Sequence, residues 1–298
     1  MRVLVTGNNG HVGGAIAAGL ADQGWQVAGL DRAVRDINGI DQQVQAELGS
    51  PDLVEQVLSA TAPCSAIVHA AAAIDKDLYA PSVCLTNCLG TQQILQLART
   101  WKVHRLVYIS SLPIIGFPIQ LPITEDHPAA PPTAYHAAKL FGEHLVRLAG
   151  QAGLTAVILR LTSPVGPGMA DNRIFSVFVK RALANLPIQL TGRGLRQQNY
   201  VDVRDIASAV ACCLRKPAAG LFNIAGSAST SNLELAQACI RVLGSSSAIQ
   251  FTGQPDPEEN IRWDVSIAKA AEQLGYRPQY GIEQSILAAG GDHALGVH

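Results

Sequence analysis

A glycine turn held between a strand and a helix constrains this chain more than any other feature. Val3-Leu4-Val5 leads into Thr6-Gly7-Asn8-Asn9-Gly10-His11-Val12-Gly13, and Ala15 to Leu20 then reads as helix. Gly7, Gly10 and Gly13 recur every third residue after a strand and at the opening of a helix, the context in which this fingerprint carries weight. Glycines there let the backbone approach a pyrophosphate, and the helix N-terminus holds its charge. A chain that begins this way is committed to a sheet with helices laid across it.

The following residues repeat the theme. Val27 to Asp31 is a second strand; Pro51 to Ser59 reads as a helix with Ser50 as N-cap and Pro51 in the first turn. Ala66 to Ala70 is a strand, Pro81 to Trp101 a long helix, and Arg105 to Ser111 another strand. Residues 134–151 read as helix and Thr155 to Leu161 as a buried strand. Short apolar runs alternating with helices mean a parallel sheet covered on both faces. The expected fold is α/β, a doubly wound parallel-sheet Rossmann domain with a smaller C-terminal substrate-binding lobe. The first domain takes 1–167, and the lobe 168–298 begins where Gly and Pro clusters break the pattern. Pro113 to Pro132 is a loop placed to border a site, and Gly290 to His298 reads as a mobile tail.

With 298 residues, 48% apolar and 15% charged, the chain is globular and long enough for a sizeable core. A net charge of −1 gives no electrostatic footprint for nucleic acid or an anionic membrane, so any anion site is local. The six cysteines show no Cys-x-x-Cys spacing and read as small buried hydrophobes of a reducing compartment. Met1-Arg2 runs straight into a strand, leaving no room for a signal peptide, and no apolar run reaches membrane-spanning length. A cytoplasmic protein without a metal centre is expected.

The chemistry is carried by Tyr135-His136-Ala137-Ala138-Lys139, with Ser110-Ser111 ending a strand upstream. A Tyr and a Lys four apart share a helix face. A free phenol has a pKa of about 10, and moving it to about 7 takes about 4 kcal/mol, which a nearby ammonium and an oxidised nicotinamide can supply. Such a pair alone is common in helices; with the glycine turn and Ser111, in this order, it points to an enzyme that moves a proton with Tyr and a hydride with a nicotinamide cofactor. Asp31, ending the second strand, stands where an acid accepts from adenosine ribose hydroxyls, which favours NAD; Arg32 beside it could greet a 2′-phosphate and keeps NADP open.

Together these motifs resemble the extended short-chain dehydrogenase/reductase family, the nucleotide-sugar epimerases and dehydratases. His69-Ala70-Ala71-Ala72 is similar to the stretch under the cofactor, Asn87-x-x-Gly90-Thr91 to the helix motif behind it, and Tyr108-Ile109-Ser110-Ser111 to the strand with the catalytic hydroxyl. Arg160 through Gly166-Pro167-Gly168 resembles the crossing from cofactor to substrate. Asn199 to Asp205 resembles the re-entry into the first domain, so 202–226 is expected to return there. The resemblance implies that Ser111 hydrogen-bonds the reacting oxygen, Tyr135 is the acid/base, and Lys139 holds the nicotinamide ribose and lowers the Tyr pKa. It assigns Gly7, Gly10, His11, Val12, Gly13, Asp31, Arg32, Glu47, Leu48, Ala70, Ala71, Ala72, Asn87, Tyr135, Lys139 and Leu161 to the cofactor. Ser111, Ser163, Arg196 and Arg262 are assigned to substrate, the two arginines for its diphosphate. Asn87 could equally brace backbone.

Departures narrow the reaction. Leu112-Pro113 stand where dehydratases of the family carry an Asp-Glu pair, which disfavours 4,6-dehydration. Ile115, Ser163 and Val165 replace Tyr, Asn and Tyr, and make the sugar pocket less polar and less aromatic than usual. The expected function is NAD-dependent epimerisation of a nucleotide-diphospho sugar, at C4, by transient oxidation and re-reduction. The alternative is an NAD(P)-dependent reductase or dehydrogenase of a keto sugar or smaller carbonyl compound; a non-catalytic cofactor sensor has no need of a phenolate. A homodimer binding neither nucleic acid nor membrane is the expected assembly.

Overall fold

The computed structural model describes residues 1–34, 37, 39–75 and 77–295. The glycine turn links β1 (Arg2–Thr6) to α1 (His11–Ala21), followed by β2 (Gln26–Asp31), β3 (Ile40–Gln45), α2 (Leu53–Ala60) and β4 (Ala66–His69). A helical rod comes next: α3 (Pro81–Val83), a π-helical stretch over Cys84–Leu89, and α4 (Gly90–Thr100). After it come β5 (Arg105–Ser111), α5 (Ala134–Gln151), β6 (Thr155–Leu161) and β7 (Ser163–Val165). The remainder is α6 (Ile174–Leu183), β8 (Ile188–Leu190), β9 (Gln197–Asp202), α7 (Val203–Arg215), β10 (Gly220–Ile224), β11 (Ser229–Ser231), α8 (Asn232–Val242), β12 (Ile249–Phe251), α9 (Ala268–Gln273) and α10 (Ile282–Leu295).

Seven strands form one parallel sheet in the order β10-β6-β5-β4-β1-β2-β3. The order reverses between β1 and β4, and in such sheets ligands bind in the crevice beyond the carboxyl ends at that point. Val3, Val5, Val68 and Val107 point to a core closed by α1 and α7. Leu4, Ile67, Leu106 and Tyr108 point to the opposite core, closed by α2, α4 and α5. Period-two alternation with both faces buried is why the strands read as continuous apolar runs. Glycine sets the spacing at one contact, where a Cβ on Gly19 would lie 2.8 Å from that of Ala207 and push α1 off α7.

Beyond β6 the chain leaves the main sheet for a three-stranded sheet, β11-β9-β7, and a two-stranded one, β12-β8, over a separate core containing Phe175, Phe178, Leu190, Leu235 and Ile286. Within 202–226, α7 and β10 belong to the large sheet and its core. Residues 268–276, expected in the smaller lobe, join that core too. Ala270, Leu274 and Tyr276 are buried in it, and Tyr276 Oη donates to Ala225 O at 2.9 Å.

Several local expectations are corrected. Ser50 does not cap α2; its hydroxyl donates to Glu47 O at 2.8 Å, and the helix starts only at Leu53. β3 stands in a polar stretch that gave no strand signal. The expected tail is helical to Leu295; 296–298 lie outside the described residues. Cys64, Cys213 and Cys239 are buried, but Cys84 is exposed, and all six thiols are free. Among the described residues no helix is long and apolar enough to cross a membrane.

The seating of α5 on the sheet rests on Gly142, where a Cβ would stand 2.2 Å from Tyr108 Oη and 2.6 Å from its Cζ. Gly142→Ala is expected to cost about 1–3 kcal/mol by overpacking, more than the gain of up to about 1 kcal/mol in helix propensity. The measurement is a urea midpoint at unchanged slope; a midpoint at or above wild type would mean that Tyr108 yields freely.

Candidate active site

The glycine turn is shaped by contact. Gly7 has φ +71° and a Cβ there would lie 2.7 Å from Ala71 Cα; one on Gly13 would lie 2.1 Å from Gly7 O. The N-cap of α1 is Gly10 and supplies no side-chain cap, which leaves the first amides of the helix, those of His11, Val12 and Gly13, without an N-cap side chain to receive them. This cradle fits a pyrophosphate. Asp31 ties it to β2, its carboxylate accepting from Asn9 N at 3.1 Å and Ala33 N at 3.3 Å. Arg32 is exposed beside it. Glu47 is also exposed, while Leu48 is buried against Gly90 and acts as packing. The His11 ring lies by the Gly166 and Pro167 carbonyls; burial pulls it down to about 4, and its buried Nε2 has no partner.

The crevice floor is the run from Ala70 to Ala73. Ala71 N donates to Thr6 Oγ1 at 3.1 Å, and Ala72 is exposed. The π-helical stretch aims Asn87 at this floor, and its amide both accepts from Ala73 N and donates to Ala73 O, each at 2.8 Å. Asn87 thus braces backbone with both ends of its amide. Below, His69 bridges Thr6 Oγ1 (2.8 Å) and Thr91 Oγ1 (3.1 Å), while Thr91 donates to Asn87 O at 2.7 Å. That sequence of donors puts the His69 proton on Nε2. Burial pulls His69 down to about 3, with the Lys139 charge adding to the effect, so it stays neutral.

Ser111 ends β5, half-buried at the crevice. α5 begins at Thr133, whose hydroxyl accepts from His136 N at 3.3 Å, and presents Tyr135 and Lys139 one turn apart. Lys139 is buried; its Nζ donates to Ile109 O at 2.8 Å, two residues before Ser111, and stands 4.9 Å from the centre of the Tyr108 ring. This bond brings Lys139, and with it the turn of α5 that carries Tyr135, to the end of β5 where Ser111 stands. Tyr135 departs from expectation. Burial pushes its phenol up to about 12, and the opposing charge is the Arg173 guanidinium, not Lys139. Lys139 is itself pulled down by burial to about 8, against the pull of Glu143. Arg173, at the N-cap of α6, had no motif to announce it.

On the lobe side, Leu161 is buried at the end of β6, and Ser163 Oγ donates to Gln198 Oε1 at 2.9 Å. Arg196 and Arg262 stand on segments bonded to each other. Arg196 pairs with Glu258, Arg193 with Glu259 at 3.2 Å, and Arg262 Nη1 donates to Leu195 O at 3.4 Å. Ile115 is buried with Leu112, Ile114 and Ile123 in a small apolar cluster. Tyr200, missed from sequence, buries a hydroxyl that has no partner, near Arg196. No cluster of His, Cys, Asp and Glu among the described residues could hold a metal ion.

Residues 3–225 match the model of the NAD dependent epimerase/dehydratase family. A dTDP-glucose 4,6-dehydratase of Streptomyces niveus is 26% identical over 96% of this chain and 91% of its own. A putative UDP-glucose 4-epimerase of Methanocaldococcus jannaschii is 27% identical over 95% of each. The structure of a Thermus thermophilus UDP-glucose 4-epimerase in complex with NAD superposes over 100% of both chains with a TM-score of 0.86 at 27% identity. With the glycine cradle and the Ser111, Tyr135 and Lys139 corner in place, the chain belongs to the NAD-dependent epimerase/dehydratase family of enzymes.

Proposed function

We propose that this protein epimerises a nucleotide-diphospho sugar at C4 and keeps its NAD bound between turnovers. What supports this reading is the Lys139–Ile109 bond, which sets the turn of α5 carrying Tyr135 and Lys139 against the end of β5, where Ser111 stands. Asp31 at the end of β2 supports NAD over NADP, because a carboxylate there repels a 2′-phosphate. Leu112 and Pro113, starting a short 3-10 turn after Ser111, offer no acid or base for elimination of water.

When bound, NAD supplies reversible uptake and return of hydride. Tyr135 takes the proton of the sugar hydroxyl and later gives it back, and Ser111 Oγ donates to the same oxygen. Burial holds the Tyr135 phenol near 12 against the pull of Arg173, so the proton is released only once further positive charge stands beside it. Arg196 and Arg262 receive the diphosphate, Arg196 by exchanging Glu258 for phosphate. The proposed assembly is a homodimer, for which the exposed Leu85 and Leu89 on the helical rod and Phe141 and Leu148 on α5 provide an apolar face.

Incubation of the purified chain with a panel of UDP- and dTDP-sugars tests the reading. A mixture of C4 epimers, formed without added cofactor and without net NADH, is expected; turnover only with added NADPH and its net consumption would assign the protein as a reductase instead. Tyr135→Phe should lower kcat by about 10²–10⁴ while NAD content stays at the wild-type level. Near wild-type turnover in that variant would remove Tyr135 as the acid/base.

Arg196→Ala and Arg262→Ala should each raise KM for the nucleotide sugar about tenfold, about 1.4 kcal/mol of binding, with NAD content unchanged. Wild-type KM in both would place the diphosphate elsewhere.

A further inference from the structure

Directly behind the reacting corner lies a buried charge cluster that the proposed mechanism does not use. Glu143 stands one helical turn beyond Lys139 on α5, and its side chain is 0% exposed. Its carboxylate accepts from Ser110 Oγ at 2.7 Å, from Arg160 Nε and Nη2 at 2.9 Å each, and from Arg147 Nη2 at 3.3 Å. Ser110 precedes Ser111 on β5, and Arg160 is its register partner on β6. Arg160 also donates to Glu125 O at 3.4 Å, and the Glu125 carboxylate accepts from Asn223 N at 2.9 Å. One carboxylate therefore joins the Ser111 strand, its neighbour and the Tyr135/Lys139 helix, with the proline-rich loop attached through Arg160.

A buried ion pair is a poor source of stability, since apolar residues of the same volume often serve as well or better. Lys139 supplies the reason for keeping this one. Its ammonium is buried against the Ile109 carbonyl. The groups acting on it are neutral His69 from β4 and the Tyr108 ring from β5, with Glu143 the anion. Glu143 is faced in turn by Ser110 and Tyr108 from β5, Arg160 from β6, and Arg147 and Lys139 from α5. We infer that Glu143 is a positioning residue that keeps Lys139 protonated at working pH and locks the Tyr135/Lys139 helix to the Ser111 strand.

The sign follows from electrostatics. Burial lowers the Lys139 pKa and Glu143 raises it. Removing the Glu143 charge leaves burial unopposed and adds the uncompensated Arg160 guanidinium, so Lys139 loses its proton at lower pH. A purely mechanical brace would leave that titration where it is.

The inference rests on reading Lys139 as the cation of the reacting corner, and the test separates the two. The chain has six lysines, so the Cε resonance of Lys139 in lysine-labelled protein can be assigned through Lys139→Met. In wild type it should titrate near 8. In Glu143→Gln it should titrate at least about one unit lower, a tenfold change in proton affinity, and in Glu143→Asp close to wild type. The alkaline limb of kcat should move down with it. Should Glu143→Gln fail to fold, the neutral pair Glu143→Gln/Arg160→Gln removes the stranded cation, and Lys139 should still titrate below wild type. Identical Lys139 titration in wild type and the folded Gln variant overturns the inference. Lys139→Met with unchanged turnover and NAD content overturns the underlying reading instead.

Discussion

The whole arrangement hangs on how closely the turn after β1 folds back on itself and on β4. Gly13 stands so near the Gly7 carbonyl, and Gly7 so near Ala71, that neither position has room for a side chain. That approach points the first amides of α1 into the crevice where the strand order reverses. It also places Thr6 to bond both Ala71 N and His69, so the floor, the turn and the buried polar chain beneath are fixed by one contact. Asp31 and Asn87 extend the fixation to either side, one by clasping the turn to β2 and the other by clasping Ala73 to the helical rod.

Burial then shifts four titratable groups near the crevice. His11 and His69 are driven neutral, Lys139 is weakened as a cation, and Tyr135 is pushed away from ionisation. Ionising Tyr135 therefore requires positive charge brought beside it to offset the burial. Each unit of that upward shift corresponds to about 1.4 kcal/mol to be offset on binding. The same low polarity makes Arg173 and Lys139 count for more than exposed charges would.

What was legible in the sequence follows this hierarchy. The turn, the alternating elements and the Tyr135/Lys139 spacing are local patterns, and local patterns survive in sequence. Polar β3 carries no apolar run, because an edge strand covered on one side does not need one. The Ser50 cap failed because the hydroxyl found the Glu47 carbonyl in a turn first, the competition that makes Ser ambiguous at helix starts. The return of 268–276 to the large core depends on Tyr276 reaching Ala225, a pairing between residues far apart in sequence. Arg173 acts on Tyr135 from another lobe, and a single surface-type arginine gives no signal of its target. Asn87 was legible as either a ligand contact or a brace, and the geometry decides for the brace, with both ends of its amide on Ala73.

The lobe departs from its resemblance in a way that has a consistent geometry. Ser163, one of the departures from the resemblance, is bonded to Gln198, so β7 and β9 meet through a neutral hydroxyl–amide pair. A cation stands two residues before Gln198, at Arg196. Arg196 lies just before β9, and its carbonyl accepts from Asn232 N at 3.0 Å, which fixes the approach to the strand. There it meets Glu258 and, across the bonded segments, Arg262. The Arg196 guanidinium is thus already compensated by a carboxylate, and any anion that engaged it would have to displace Glu258, which gives up part of the gross attraction and disfavours ligands carrying little charge.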